Sequence, residues 1–126
     1  MVDKRRPAAK ERVLDAALLS FSIEEKVKQL QREKTWQSGD RNAVTLVKNP
    51  STRVTLVALR KDASLHEHKV EGPITLYVVE GSIKFIVGGA NCSLKRGGFL
   101  TLERTIPHDV EALEDSVILL TIIQPK

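Results

Sequence analysis

The chain has 126 residues, 41% hydrophobic and 29% charged, which is enough for one domain with a buried core and too few for two. No apolar run approaches the ~20 residues of a membrane span and no basic-then-apolar leader opens the chain, so the sequence predicts a soluble, cytoplasmic protein with no membrane partner. The net charge of +4 sits mainly in residues 1–42, with ten basic and seven acidic side chains against ten and nine in 43–126; with 4% aromatics and one short basic run, Lys4-Arg5-Arg6, the chain lacks the basic stripe and stacking platforms of a nucleic-acid binder.

Residues 1–42 read as a helical arm that packs or dimerises. Val13, Leu14, Ala17, Leu18 and Phe21 recur at three-to-four-residue spacing after Pro7, which predicts a first amphipathic helix. Ser22 with Glu25 three residues on matches a capping box, and Ile23, Val27 and Leu30 then form a second apolar stripe ending near Lys34. Neither stripe can make a core alone, so both helices must lie on something else.

From Ala43 the period changes. Short β-rich runs near 43–48, 53–60, 64–69, 74–79, 82–87, 90–95, 99–103, 107–112 and 116–123 are separated by turn residues such as Asn49-Pro50, Glu80-Gly81, Gly88-Gly89 and Gly97-Gly98. Nine short strands in about 80 residues call for a sandwich or a barrel, which protects sheet edges. The last run, Val117 to Ile123, is apolar on both faces, so its outer face needs cover from the arm or from a second subunit, and a homodimer is expected.

Strand side chains alternate between faces, so each run is sorted by which parity is apolar. In 64–69 the parity of Leu65, Glu67 and Lys69 is mostly charged, which points Ser64, His66 and His68 inward. In 107–112, Pro107, Asp109 and Glu111 form the wet face and His108, Val110 and Ala112 point in. Ile74, Leu76 and Val78, then Ile83, Phe85 and Val87, are inward on the next pair. Cys92, the single cysteine, shares its parity with Ala90 and Leu94 and joins the cavity lining with Ile74, Leu76, Val78, Phe85 and Val110; one cysteine also excludes a disulfide framework. Tyr77 and Glu103 fall on the outer parity.

All three histidines of the chain thus fall on inner faces. Two at i and i+2 lie roughly 7 Å apart along a strand and can converge on one ion, with the third supplied by a facing strand. Three neutral imidazoles leave coordination sites open for water or substrate, so His66, His68 and His108 are the candidate ligands of a divalent transition metal. The alternative is a set of hydrogen-bonded core histidines, for which few inward donors exist beyond Ser64 and Cys92.

The pair His66-Glu67-His68 ahead of Leu76-Tyr77-Val78-Val79-Glu80-Gly81, and the run from Gly98 to Ile106-Pro107-His108, resemble the two motifs of the cupin superfamily over residues 43–126. Gly72-Pro73-Ile74 and Ala112-Leu113-Glu114-Asp115 further resemble a subgroup of small bacterial cupins with an amino-terminal helical arm. The resemblance implies an all-β fold, a double-stranded β-helix or jelly-roll barrel, with three-histidine relatives that include dioxygenases. One position departs from it: counted back from Gly81, the family's metal-binding Glu is replaced by Ile74, and Glu71 lies too early. An all-imidazole site favours iron, nickel, copper or zinc over magnesium. Two functions therefore stand side by side, a metal-dependent enzyme acting on a small molecule, or a metal-free barrel that binds or senses a small organic ligand. A third is an interaction protein with a vestigial cavity.

Overall fold

The computed structural model describes residues 14–67, 72–103 and 106–124. Two helices, α1 (Ile23–Arg32) and α2 (Lys34–Ser38), precede nine strands: β1 (Arg41–Lys48), β2 (Thr52–Leu59), β3 (Ser64–Glu67), β4 (Ile74–Glu80), β5 (Ser82–Val87), β6 (Ala90–Lys95), β7 (Phe99–Leu102), β8 (His108–Ala112) and β9 (Ser116–Ile123). They form two antiparallel sheets, one in the order β1-β2-β9-β4-β7 and the other β3-β8-β5-β6. Packed face to face, the sheets enclose one core and present an outer surface to the helices.

The inner core follows the alternation of the sequence. Ile74, Leu76 and Val78 of β4, Ile83 and Phe85 of β5, Val110 and Ala112 of β8, and Ile118 and Leu120 of β9 are all buried in it. A second core lies on the outer face of the five-stranded sheet, where Val27 and Leu30 of α1 and Trp36 of α2 cover Val44, Leu46, Leu56, Ala58 and Val117. Burying side chains such as Val27 and Leu30 stabilises the arm by about 1.5–3 kcal/mol each.

Helix α1 begins as its sequence predicts: the Ser22 hydroxyl oxygen accepts a hydrogen bond from Glu25 N–H at 3.2 Å, satisfying one orphan donor of the first turn. Its far end is tied to β1 by Asn42, whose amide donates to the Leu30 carbonyl at 3.0 Å and to Glu33 Oε1 at 2.9 Å. The expected helix ahead of it, from Pro7 to Phe21, is corrected from Leu14 onward; its first part lies outside the described residues. Residues 14–22 are not helical, Leu18 is exposed, and Leu14 instead offers its carbonyl to Lys48 N–H at 2.9 Å, running beside β1. A short stripe without a surface to bury it cannot offset the cost of helix nucleation.

A single residue, Gly81, joins β4 to β5. Gly81 has φ +82°, and a Cβ there would stand 2.3 Å from Ser116 Oγ and 2.4 Å from the Asp115 carbonyl oxygen. Ser116 is buried, and its hydroxyl oxygen accepts from Ser82 N–H, so this corner closes the end of the sandwich away from His108.

Candidate functional site

Strand β8 brings a buried histidine, His108, into the interior. Its pairing with β5 sets Phe85 against Val110 and Val87 against His108, and its pairing with β3 sets Leu65 against Val110 and Glu67 against His108. His108 is 5% exposed. Its ring stacks on Phe85, centroids 5.1 Å apart and planes 18° from parallel, and Nδ1 lies 2.9 Å from the Ile106 carbonyl oxygen. A carbonyl can only accept, so Nδ1 carries the proton, and in the neutral ring Nε2 is an acceptor. Among the described residues Nε2 has no hydrogen-bond partner.

On either side of His108 the sheet places Val87 of β5 and Glu67 of β3. At the Gly81 end Leu59, Val78, Ile83 and Ala112 are fully buried. At the His108 end Leu65, Val87, Leu102 and Ile122 are only partly buried against the same core. The end of β3, the start of β4, the end of β7 and the start of β8 all lie at this end.

His66 does not share the site. Cross-strand partners project to one face, and His66 pairs with Asp109, on the wet parity of β8. Its side chain is 59% exposed, with Nδ1 2.8 Å from Asp109 Oδ1. The expected inward face of β3 is therefore corrected: Leu65, opposite Val110, packs against the core, and Ser64 and His66 lie outside with Glu111 and Asp109 as polar neighbours. A one-residue shift of register exchanges every side chain between faces. His68, the third expected ligand, and Glu71 lie outside the described residues.

Of the expected cavity lining, Ile74, Leu76, Val78, Phe85 and Val110 are buried in the inner core. Cys92 is exposed and its thiol is free. It pairs with Phe85 and so has the inner parity, but β6 is an edge strand, and its neighbours Ala90, Asn91 and Ser93 are exposed as well. Parity was legible there and cover was not.

For a metal ion the donor set can be tested directly. His108 has the right form, with one ring nitrogen held by a backbone carbonyl and the other free. His66 is on the opposite face of the sheet and bound to Asp109. Ile74, at the position of the missing carboxylate, is 2% exposed within the core. Among the described residues no three of His, Cys, Asp and Glu come together. His66 and His108, the two of the three expected ligands that are described, do not converge on one ion.

Sequence reasoning missed a second cluster, at the junction of arm and barrel. The Arg60 guanidinium lies over the Trp36 ring, 3.9 Å from its centroid, donates to the Trp36 carbonyl at 3.0 Å and meets Asp115 Oδ2 at 3.3 Å. Asp115 Oδ1 accepts from Lys61 N–H at 2.8 Å. A cleft of about 340 Å³ opens there, lined by Gln31, Trp36, Arg60, Glu80, Asp115 and Val117 among others. Nearby, the Arg41 guanidinium bonded to Asp40 holds that carboxyl below its usual value, and the same bond raises Arg41.

Residues 53–123 match the family model described as a cupin domain. Among curated proteins none matches the chain. The fold is similar to that of a conserved protein of unknown function from Streptococcus pyogenes, at 21% identity over 68% of this chain and 75% of that one, TM-score 0.65. It is also similar to an RmlC-like cupin protein from Desulfovibrio desulfuricans, at 26% identity over 68% of this chain and 84% of that one, TM-score 0.60. A variant of salicylate 1,2-dioxygenase from Pseudoaminobacter salicylatoxidans aligns with 94% of this chain and 39% of its own, at 14% identity and TM-score 0.74.

Proposed function

We propose that this chain, which belongs to the cupin domain family, is a small-molecule-binding barrel that works without a resident metal and holds its ligand through His108. The observation that carries this reading is the His108 Nε2 acceptor, on a ring that is buried against Phe85, with no partner among the described residues. Leaving such an acceptor unpaired costs about 1–3 kcal/mol. A molecule that brings one O–H or N–H donor on a compact apolar body meets both demands of this end of the core: its donor pairs with Nε2, and its body lies against Val87, Leu102 and Ile122. Phe85 fixes the plane of the imidazole and the Ile106 carbonyl fixes its tautomer, so the acceptor is aimed before the ligand arrives.

The metal-dependent alternative requires ligands that the described residues do not supply, and the likeness to the dioxygenase, at 14% identity, extends to the fold. The free, exposed thiol of Cys92 supports a reducing, cytoplasmic setting. No helix of the described residues is long and apolar enough to cross a membrane.

The test pairs elemental analysis with probe binding. Protein purified without chelator is expected to hold far less than one metal per chain, with the same melting temperature before and after chelation. Phenol, an apolar ring with one donor, is expected to protect the wild type against heat more than anisole, which lacks the donor. His108→Phe, which keeps a ring against Phe85 but removes the acceptor, is expected to abolish that difference. One equivalent of bound metal lost in His108→Phe, or equal protection by both probes, overturns the reading.

A further inference from the structure

The cleft between arm and barrel holds polar groups that the fold leaves without partners. It has a volume of about 340 Å³, with Gln31 and Trp36 on the arm side and Arg60, Glu80, Asp115 and Val117 on the barrel side. That size lies at the lower end of small-molecule sites, about 300–1,000 Å³. Trp36 is 7% exposed. Its carbonyl accepts from Arg60, but among the described residues its indole N–H has no acceptor. A buried N–H left unpaired costs free energy that a bound acceptor restores. Glu80 stands opposite Val117 in the β4–β9 ladder, and Val117 is packed beneath the arm, so both side chains share that face. The Glu80 carboxylate has no counter-ion among the described residues. Asp115 differs, because Arg60 and the Lys61 N–H already occupy its two oxygens.

We propose that this cleft binds a small ammonium compound that also carries hydroxyl groups, an amino alcohol in chemical class. The two unmet groups select it together. Glu80 calls for a cation, and an ammonium–carboxylate hydrogen bond is of the strong, charge-assisted kind. Trp36 N–H calls for an oxygen acceptor within the same small volume, and a hydroxyl accepts without setting a second negative charge beside Glu80. An anionic ligand is disfavoured by the lining, since the one cation, Arg60, is paired with Asp115 and Glu80 is left over. Stacking on the indole is a poorer mode, because the Arg60 guanidinium lies over that ring, 3.9 Å from its centroid. The Gln31 amide both donates and accepts, and suits a second hydroxyl. This site lies outside the barrel, under the arm, and the inference does not rest on the ligand held at His108.

The chain has one tryptophan, so the single indole cross-peak in a proton–nitrogen NMR spectrum of the full chain reads this cleft directly. The probe is serinol, a three-carbon amino alcohol, titrated at pH 7 and constant ionic strength. Its controls are glycerol, which has a hydroxyl in place of the ammonium, and isopropylamine, which has methyl groups in place of the hydroxymethyls. Serinol is expected to shift the indole cross-peak saturably, and each control to bind about 10-fold more weakly or worse. Glu80→Gln, at an exposed position, is expected to keep the melting temperature and to weaken serinol binding by a similar factor. If that variant loses its fold, the comparison of the three probes on the wild type decides alone. No saturable shift with serinol overturns the proposal. So do equal affinities for the three probes, or a folded Glu80→Gln that binds serinol as the wild type does.

Discussion

His66 and Asp109 pair on the outer surface of the sheet whose inner surface carries His108, so one strand, β8, presents an acid to solvent and an imidazole to the core from adjacent positions. The alternation of a strand makes this unavoidable. Whichever face holds His108, its neighbour Asp109 and that residue's cross-strand partner His66 take the other. A centre built on both histidines would require β3 to slip by one residue against β8, which would take Leu65 out of the core.

The stack of His108 on Phe85 gives the first stability prediction. His108→Ala removes the ring pair and leaves a void beside Phe85, and is expected to destabilise the fold by about 2 kcal/mol. His108→Phe, which restores a ring at that site, should recover about half of the loss. Urea denaturation of both variants measures the difference.

Asn42 is the next. It is buried and donates to both the Leu30 carbonyl and Glu33, so Asn42→Ala leaves an end-of-helix carbonyl without its side-chain donor. A loss of about 1–3 kcal/mol is expected. Hydrogen exchange should show it concentrated in α1, because the remaining strands keep their ladders.

Gly81 separates conformational strain from steric strain. Gly81→Ala adds a Cβ both at positive φ and within 2.3 Å of Ser116 Oγ, and a loss of more than about 2 kcal/mol is expected. Gly88→Ala has positive φ but open space around it, so it should cost only about 1 kcal/mol. Melting temperatures that fall equally in the two variants would contradict this reading of the corner.

The Asp40 carboxyl is lowered by its hydrogen bond to Arg41. A carboxyl with a depressed folded value contributes stability above its unfolded value and loses it as pH falls through the folded one. The group is fully exposed, so the effect on melting should be slight, and NMR titration is the sensitive measurement. Arg41→Ala is expected to return the Asp40 titration upward to the ordinary carboxylate range.

Most of the barrel was legible in the sequence because its signal is local. Apolar alternation placed all nine strands, and it assigned the inner faces of β4, β5 and β8, whose buried sets Ile74-Leu76-Val78, Ile83-Phe85 and His108-Val110-Ala112 leave no ambiguity. It failed at the sheet edges. In β3 both parities are mixed, and the face was fixed by the partner β8, through Leu65 against Val110. In β6 the parity of Cys92 was right, yet an edge strand receives little cover. Trp36 gave no periodic signal because α2 is five residues long, too short for a stripe. The site at His108 was half legible: its inward face could be read from the alternation of β8, but the carbonyl that sets its tautomer lies in the preceding connection.

The outward position of His66 supplies the sharpest separation of the two functional readings. Exposed pairs such as His66–Asp109, with side chains 59% and 39% exposed, contribute about 0–1 kcal/mol. His66→Ala should therefore change the melting temperature by little and leave the advantage of phenol over anisole intact, whereas His108→Phe removes that advantage. A ligand of a metal centre would behave otherwise: its loss would lower bound metal and binding together. Parallel effects of the two substitutions on metal content would move His66 to the inside of the sheet and replace the register assigned to β3. Independent effects place recognition on the inner face of β8 alone.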